Sequence, residues 1–264
     1  MSDGAELHTV WDVVGAVRVR GRVNDRTSAR DGGAPHVVLV HGLGMATNYL
    51  EPTMRALGNE LAVSALDLPG FGGSRPVDGH LSLAALADAL VEWTRVRGIA
   101  APILMGQSHG CQVVVEAVTR VPDVASAIVL NAPTMLAGHR SIGAQLWRVA
   151  LDTPREPFSL VPHVVRDYLR AGPVRILATL NDALRDRIED KLSGVRVPVT
   201  IVNGARDPVS PPAWGKRLAR LVGSTAQFVV VPGAAHAVPF SHPEALAKEI
   251  LAMARRVAGT RVDR

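Results

Sequence analysis

The 264-residue sequence predicts an α/β fold: a mostly parallel central sheet of about eight strands, flanked by helices, with a helical cap inserted after the sixth strand. Three observations carry that prediction. Apolar, β-branched runs such as HVVLV (36–40) have the character of strands buried on both faces, as in parallel sheets. These runs alternate with longer helical stretches, which is the pattern of βαβ units. The alternation breaks once, over residues 134–196, where helical periodicity continues without a convincing strand.

The elements follow in order. In HTVWDVVGAVRVRGRV (8–23), Gly15 is turn-prone, and Val17, Val19 and Gly21 then alternate with Arg18, Arg20 and Arg22, predicting a half-exposed antiparallel hairpin. TSARDGGAP (27–35) is a polar connection, and HVVLVHG opens the parallel sheet. AVSALD, PILMGQS and SAIVLNAP predict further strands, separated by helices over Leu81–Arg97 and His109–Val121. The insertion holds three helical patterns: GAQLWRVAL, LVPHVVRDYLR and VRILATLNDALRDRIEDKL. The sheet resumes at VPVTIVNG, passes a helix near AWGKRLARLV, adds the strand AQFVVVPG and closes with a helix from about Ser241. Ser241 with Glu244 predicts a capping box, with Pro243 in the first turn. The expected organisation is a core over 1–133 and 197–264, interrupted by a helical cap over 134–196.

Composition sets the outer limits. Hydrophobic residues make up 47% of the chain and charged residues 20%, enough apolar surface for a large core. The net charge of +5 rests on 26 Arg and 3 Lys scattered along the chain, so no nucleic-acid partner is expected. Cys111 is the only cysteine, which rules out an intrachain disulfide and a cysteine-based zinc site; no metal or cofactor is expected. The opening MSDGAELHTVWD lacks a basic segment followed by an apolar one, and no apolar run is long enough to span a bilayer. The expectation is therefore a cytoplasmic protein without a membrane partner. Nothing in the sequence specifies an oligomeric state.

The chemistry starts at ILMGQSHGCQVVV (103–115). An apolar strand ends at Gly106-Gln107-Ser108-His109-Gly110 and a helix follows, which fits the G-x-S-x-G nucleophile elbow. Such a turn is too tight for side chains at Gly106 and Gly110 and exposes the Ser108 hydroxyl. A serine hydroxyl needs a base, and the base needs an orienting carboxylate. Asp207 in IVNGARDPVSP and His236 in VVVPGAAHAVPF each stand just past a strand, in the chain order Ser, Asp, His. Taken alone, Asp207 before Pro208 is a turn former and His236 an ordinary loop histidine; together they predict a triad. His242 is the rival base, but its place in a capped helix already explains it. In VHGLGMATN (40–48), Gly42 and Gly44 allow close approach of the backbone. The amides of Leu43 and His109 are the expected oxyanion donors, each lowering a barrier by about 3–4 kcal/mol. His41, Gly42, Gln107, Trp147 and Val238 are further candidates for the pocket, with His41 otherwise serving to brace its loop.

These segments together resemble the α/β-hydrolase superfamily. The carriers are HGLG (41–44), DLPGFGGS (67–74), GQSHG (106–110), GARDPVSP (204–211) and PGAAHAVPFSHPE (232–244), and the resemblance spans essentially the whole chain. It is similar to the branch with a serine nucleophile and a helical cap, which includes carboxylesterases, lactonases and meta-cleavage C–C hydrolases. The resemblance implies Ser108, Asp207 and His236 as the triad and Leu43 and His109 as oxyanion amides. Three positions depart from the common pattern: Cys111 stands where a second glycine is frequent, His109 follows the nucleophile, and Gln107 precedes it where C–C hydrolases commonly have Asn. A serine nucleophile also speaks against epoxide hydrolase and haloalkane dehalogenase chemistry.

The function these features predict is hydrolysis of a small or medium apolar acyl ester, lactone or thioester, with a small-molecule acyl substrate as the partner. The alternatives are C–C bond hydrolysis of a β-diketone or dienone acid, and a non-catalytic ligand-binding protein on the same fold. Trp147, Leu151, Phe158, Val161, Val164, Val165, Tyr168 and Leu169 of the insertion are the candidate substrate-facing residues.

Overall fold

A computed structural model of the chain describes residues 6–24, 35–74 and 81–262. The opening five residues and all of the TSARDGGAP connection except Pro35 lie outside the described residues. The strands are β1 (Leu7–Val14), β2 (Val17–Asn24), β3 (Val37–Val40), β4 (Val63–Leu66), β5 (Ile103–Gln107), β6 (Ala127–Asn131), β7 (Val199–Gly204) and β8 (Ala226–Val231). They form one sheet in the order β1-β2-β4-β3-β5-β6-β7-β8. β2 pairs antiparallel with β1 and with β4, and every other pair is parallel.

The sheet is covered on both faces, which is why its central strands are continuously apolar. On one face Val38, Val40, Leu104, Ile128 and Leu130 pack under α2 (Leu83–Val96) and α3 (His109–Arg120). On the other, Val37, Leu39, Ile103, Met105 and Val129 pack under α1 (Glu51–Gly58) and α10 (Pro243–Val262). Alternate residues of one strand thus serve two cores, and removing one such side chain costs about 2–5 kcal/mol. The predicted hairpin forms around Gly15, at φ 56°. Its arginine face is only partly solvated: Arg20 pairs with the buried Asp67, and Arg18 lies over the Trp11 ring.

Between β6 and β7 the chain forms α4 (Ile142–Asp152), α5 (Val161–Ala171), α6 (Pro173–Arg185) and α7 (Ile188–Leu192), and no strand among the described residues. The pattern that predicts one helix over 174–192 is broken at Asp186, whose extended backbone (ψ 137°) ends α6. The Asp186 carboxylate is held there by Gln112 of α3 and by Lys191. Ile188 and Leu192 of α7 are fully buried in the core cluster, so the end of the insertion packs as part of the core.

Two further local expectations change. α1, which begins with Pro52 in its first turn, has no counterpart in the sequence prediction. The capping box does not form: Ser241 ends the short α9 (Val238–Ser241), its hydroxyl bonded to the Ala237 carbonyl at 3.0 Å, and α10 begins at Pro243. α8 (Pro212–Val222) lies between β7 and β8 as predicted. No helix among the described residues is long and apolar enough to cross a membrane.

Candidate active site

β5 runs through Gln107 and α3 begins at His109, so Ser108 alone makes the turn, at φ 55° and ψ −120°. That is a sparsely populated conformation for a residue with a side chain, and holding it costs about 1–3 kcal/mol. The two glycines are required by contact. A Cβ on Gly106 would sit 2.5 Å from the Gly110 carbonyl oxygen, and one on Gly110 would sit 2.5 Å from that of Val40. The Cys111 thiol, at the position where glycine is common, is buried and donates to the carbonyls of Gly106 and Asn131.

The three residues named from the sequence come together. Asp207 follows β7 and His236 follows β8. Asp207 Oδ2 accepts from His236 Nδ1–H at 2.8 Å, and Ser108 Oγ lies 3.0 Å from His236 Nε2. A carboxylate cannot donate, so in the neutral imidazole the proton is on Nδ1 and the Nε2 lone pair faces the serine. Asp207 is also the turn former, since Oδ1 accepts from the amides of Val209 and Ser210 at 2.7 and 2.8 Å. His242 has no place in this line; its Nδ1 is bonded to Ser241 Oγ.

Electrostatics favour a charged base. Burial disfavours the imidazolium of His236, but Asp207 beside it, with Asp152 and Glu156, outweighs burial and raises its pKa to about 9. Burial raises Asp152 to about 7, with His236 opposing and Glu156 and Asp207 adding to the rise.

The loop after β3 closes the site from the other side, since a Cβ on Gly42 would sit 3.2 Å from that of Ser108. Among the described residues, neither the Leu43 amide nor the His109 amide has a protein acceptor. His41 is a brace: Nε2 accepts from the Leu68 amide at 2.9 Å, and Nδ1 donates to the Gly42 carbonyl at 2.8 Å. With both nitrogens committed and only 1% of its surface exposed, it is not free to contact a substrate. Gln107 and Val238 are likewise buried, and Gln107 serves as a connector. The Gly42 amide donates to Tyr49 Oη (3.0 Å), Tyr49 donates to Gln107 Oε1 (2.8 Å), and Gln107 Nε2 donates to the His236 carbonyl (3.3 Å). The His109 ring is buried and bonded to Gln112 Oε1 at 3.0 Å.

The insertion meets this site differently from the sequence expectation. Trp147 is 65% and Phe158 93% exposed, and Val161, Val165 and Leu169 are exposed as well, whereas Val164 packs against the core and Leu151 is half-buried. Helical phase explains Trp147: Arg148 and Asp152, one turn apart, face the loops of the site, and Trp147 is turned about 100° away. Tyr168 does reach the site, its ring within 2.8 Å of where a Cβ on Gly44 would be. Tyr49, Arg148, Asp152 and Glu156 also reach the site, and none of them stands in a sequence motif. Their only local signal is the four-residue spacing of the last three.

A mostly parallel eight-stranded sheet that presents a strained serine at a strand-to-helix turn defines the α/β hydrolase class. The chain belongs to the alpha/beta hydrolase family, whose model matches residues 37–249. It is thus a hydrolase of α/β fold. It is 31% identical to the pimeloyl-[acyl-carrier protein] methyl ester esterase of Neisseria meningitidis serogroup B, over 86% of this chain and 95% of that protein. Among solved structures, a thermophilic esterase from Thermogutta terrifontis is similar with a TM-score of 0.77, at 22% identity over 95% of this chain and 99% of that one. The enol-lactonase of Burkholderia xenovorans LB400 is similar with a TM-score of 0.76, at 20% identity over 92% and 98%.

Proposed function

We propose that the chain is a cofactor-independent serine hydrolase of carboxylic esters, acting on a small or medium apolar acyl ester, lactone or thioester. The observation that carries this reading is the hydrogen-bonded line from Ser108 through His236 to Asp207. His236 Nε2 takes the Ser108 proton as Oγ attacks the substrate carbonyl. The resulting oxyanion rests on the amides of Leu43 and His109. The imidazolium, held by Asp207, then protonates the leaving group. Water repeats the sequence in reverse roles and frees the acid from Ser108. Within the proposed cap of residues 134–196, helices α4–α6 act as the roof over this chemistry, while α7 anchors the end of the insertion in the core.

The similarity to an acyl methyl ester esterase supports an ester bond over a C–C bond as the one cleaved. The reading is tested by initial rates over a chain-length series of p-nitrophenyl esters and matching acyl thioesters, for wild type beside Ser108→Ala. A rate that peaks at one acyl length and vanishes in the variant is expected. Negligible ester rates in both, with fast cleavage of a dienone acid, would replace this reading by C–C hydrolysis. Failure of a fluorophosphonate to label Ser108 would point to a ligand-binding protein.

A further inference from the structure

Three side chains spaced four residues apart reach from the insertion to the loops that carry the acid and the base. Arg148 Nη1 donates to the Pro208 carbonyl at 2.5 Å, beside Asp207. Asp152 Oδ1 accepts from the amide of His236 itself at 3.3 Å, and Glu156 Oε1 accepts from the Ala237 amide at 2.6 Å. Arg148 and Asp152 lie one turn apart on α4, and a single 3-10 turn, Thr153–Arg155, carries the chain on to Glu156. Helical geometry therefore aligns Arg148 with Asp152, and the 3-10 turn delivers Glu156, in extended backbone, to the neighbouring amide.

The base loop packs through the buried methyl groups of Ala234, Ala235 and Ala237, and its Ala234 and Ala237 carbonyls accept from the amides of Arg206 (2.9 Å) and Phe240 (3.0 Å). Its sequence, Pro232-Gly-Ala-Ala-His-Ala237, offers no side chain beyond a methyl group apart from Pro232 and the histidine itself. Its backbone must be fixed through its own polar groups. At His236 itself the backbone is gripped from two sides: its amide by Asp152, and its carbonyl by Gln107 Nε2 at 3.3 Å. Asp152 is only 7% exposed, so water competes weakly for the bond.

We propose that Arg148, Asp152 and Glu156 are positioning residues: a clamp by which the insertion fixes the orientation of the His236 imidazole and sets its basicity. The inference rests on the triad reading. The titratable groups around the imidazole are Asp207 from the loop after β7 and Asp152 and Glu156 from the insertion, all carboxyl groups, and each favours the imidazolium when ionised. Loss of one clamp carboxylate thus has two separable effects. The ring loses orientation, which slows the chemical steps, and it loses negative charge, which lowers its pKa.

The test is steady-state kinetics against pH on Asp152→Ala, Asp152→Asn and Glu156→Ala in the full chain, with thermal melts of each. Asp152→Ala and Glu156→Ala are expected to lower kcat about 10-fold with KM within about twofold. Asp152→Asn retains an acceptor for the His236 amide but not the charge, and should move the acid limb of kcat/KM to lower pH by about half a unit or more. If Asp152→Ala does not fold, the acid limb of Asp152→Asn decides. Folded variants with wild-type kcat and an unmoved acid limb would overturn the clamp, as would a lowered melting temperature alone. Hydrolysis by wild type that survives Ser108→Ala would instead overturn the triad reading beneath it.

Discussion

Ser108 Oγ and His236 Nε2 lie 3.0 Å apart across 128 residues of sequence. The contact is made by the carboxyl ends of β5 and β8, and Asp207 arrives from β7 between them and completes the line. Ser108→Ala is expected to reduce kcat/KM toward p-nitrophenyl esters by about 10⁴-fold or more. Asp207→Asn should cost about 10⁴-fold by favouring the wrong imidazole tautomer. In that variant the Asn carbonyl oxygen can still accept from Val209 and Ser210, so circular dichroism should match wild type. His242→Ala should stay within about twofold, because its ring contacts Ser241 and not the nucleophile. Loss of activity in His242→Ala but not His236→Ala would invalidate this order of roles.

Backbone strain at Ser108 predicts a trade between stability and activity. At φ 55° a side chain is disfavoured, and glycine relieves the strain at the cost of the Ser108 hydroxyl. Ser108→Gly is expected to be inactive yet more stable by about 1 kcal/mol, net of the entropy glycine adds to the unfolded chain. In a chain of this size that corresponds to a rise of about 2–4 °C in melting temperature. A lower melting temperature than wild type would show that the elbow is not under load.

Tyr49 is the link between the loop after β3 and the elbow, and it is 2% exposed. Tyr49→Phe removes one hydroxyl and leaves two buried groups without partners, the Gly42 amide and Gln107 Oε1. The expected loss of stability is about 1–3 kcal/mol. Because Gln107 passes the connection on to the His236 carbonyl, kcat should fall more than KM rises. Chemical denaturation and a kcat–KM comparison check both parts, and a variant as stable and active as wild type would remove Tyr49 from the site's support.

The hydrogen-bonded line of Ser108, His236 and Asp207 was legible because each member announces itself locally: a G-x-S-x-G turn between strand and helix, and an acid and a histidine just past strands. The two-faced sheet was legible for the same reason, since Val37 to Val40 must satisfy both cores and so cannot alternate with polar residues. What escaped depends on contacts across long separations. Asp152 is 84 residues from His236, and apart from its four-residue spacing from Arg148 and Glu156 its sequence surroundings match those of a solvent-facing helical aspartate. The orientation of the insertion had the same problem: apolar periodicity placed Trp147 toward the pocket, but the phase of α4 is set by Arg148 and Asp152 binding the loops below. The break at Asp186 likewise needs Gln112 and Lys191, which only the folded chain brings together.

The raised pKa of His236 makes activity and stability respond to pH in opposite directions. A base must be neutral to accept the Ser108 proton, so kcat/KM should climb as pH rises through a limb at about 9. Stability follows the other sign. A histidine whose folded pKa exceeds its unfolded one binds its proton more tightly when folded. Its contribution is therefore fully present below about pH 6.5 and is lost as pH rises through the folded value. The check compares melting temperatures of wild type and His236→Gln at about pH 6 and about pH 9.5. The advantage of wild type over the variant should shrink with rising pH while wild-type kcat/KM increases over the same interval. An advantage that grows toward alkaline pH would mean that the carboxylates of Asp207, Asp152 and Glu156 do not stabilise the imidazolium, and that burial alone sets the titration of the base.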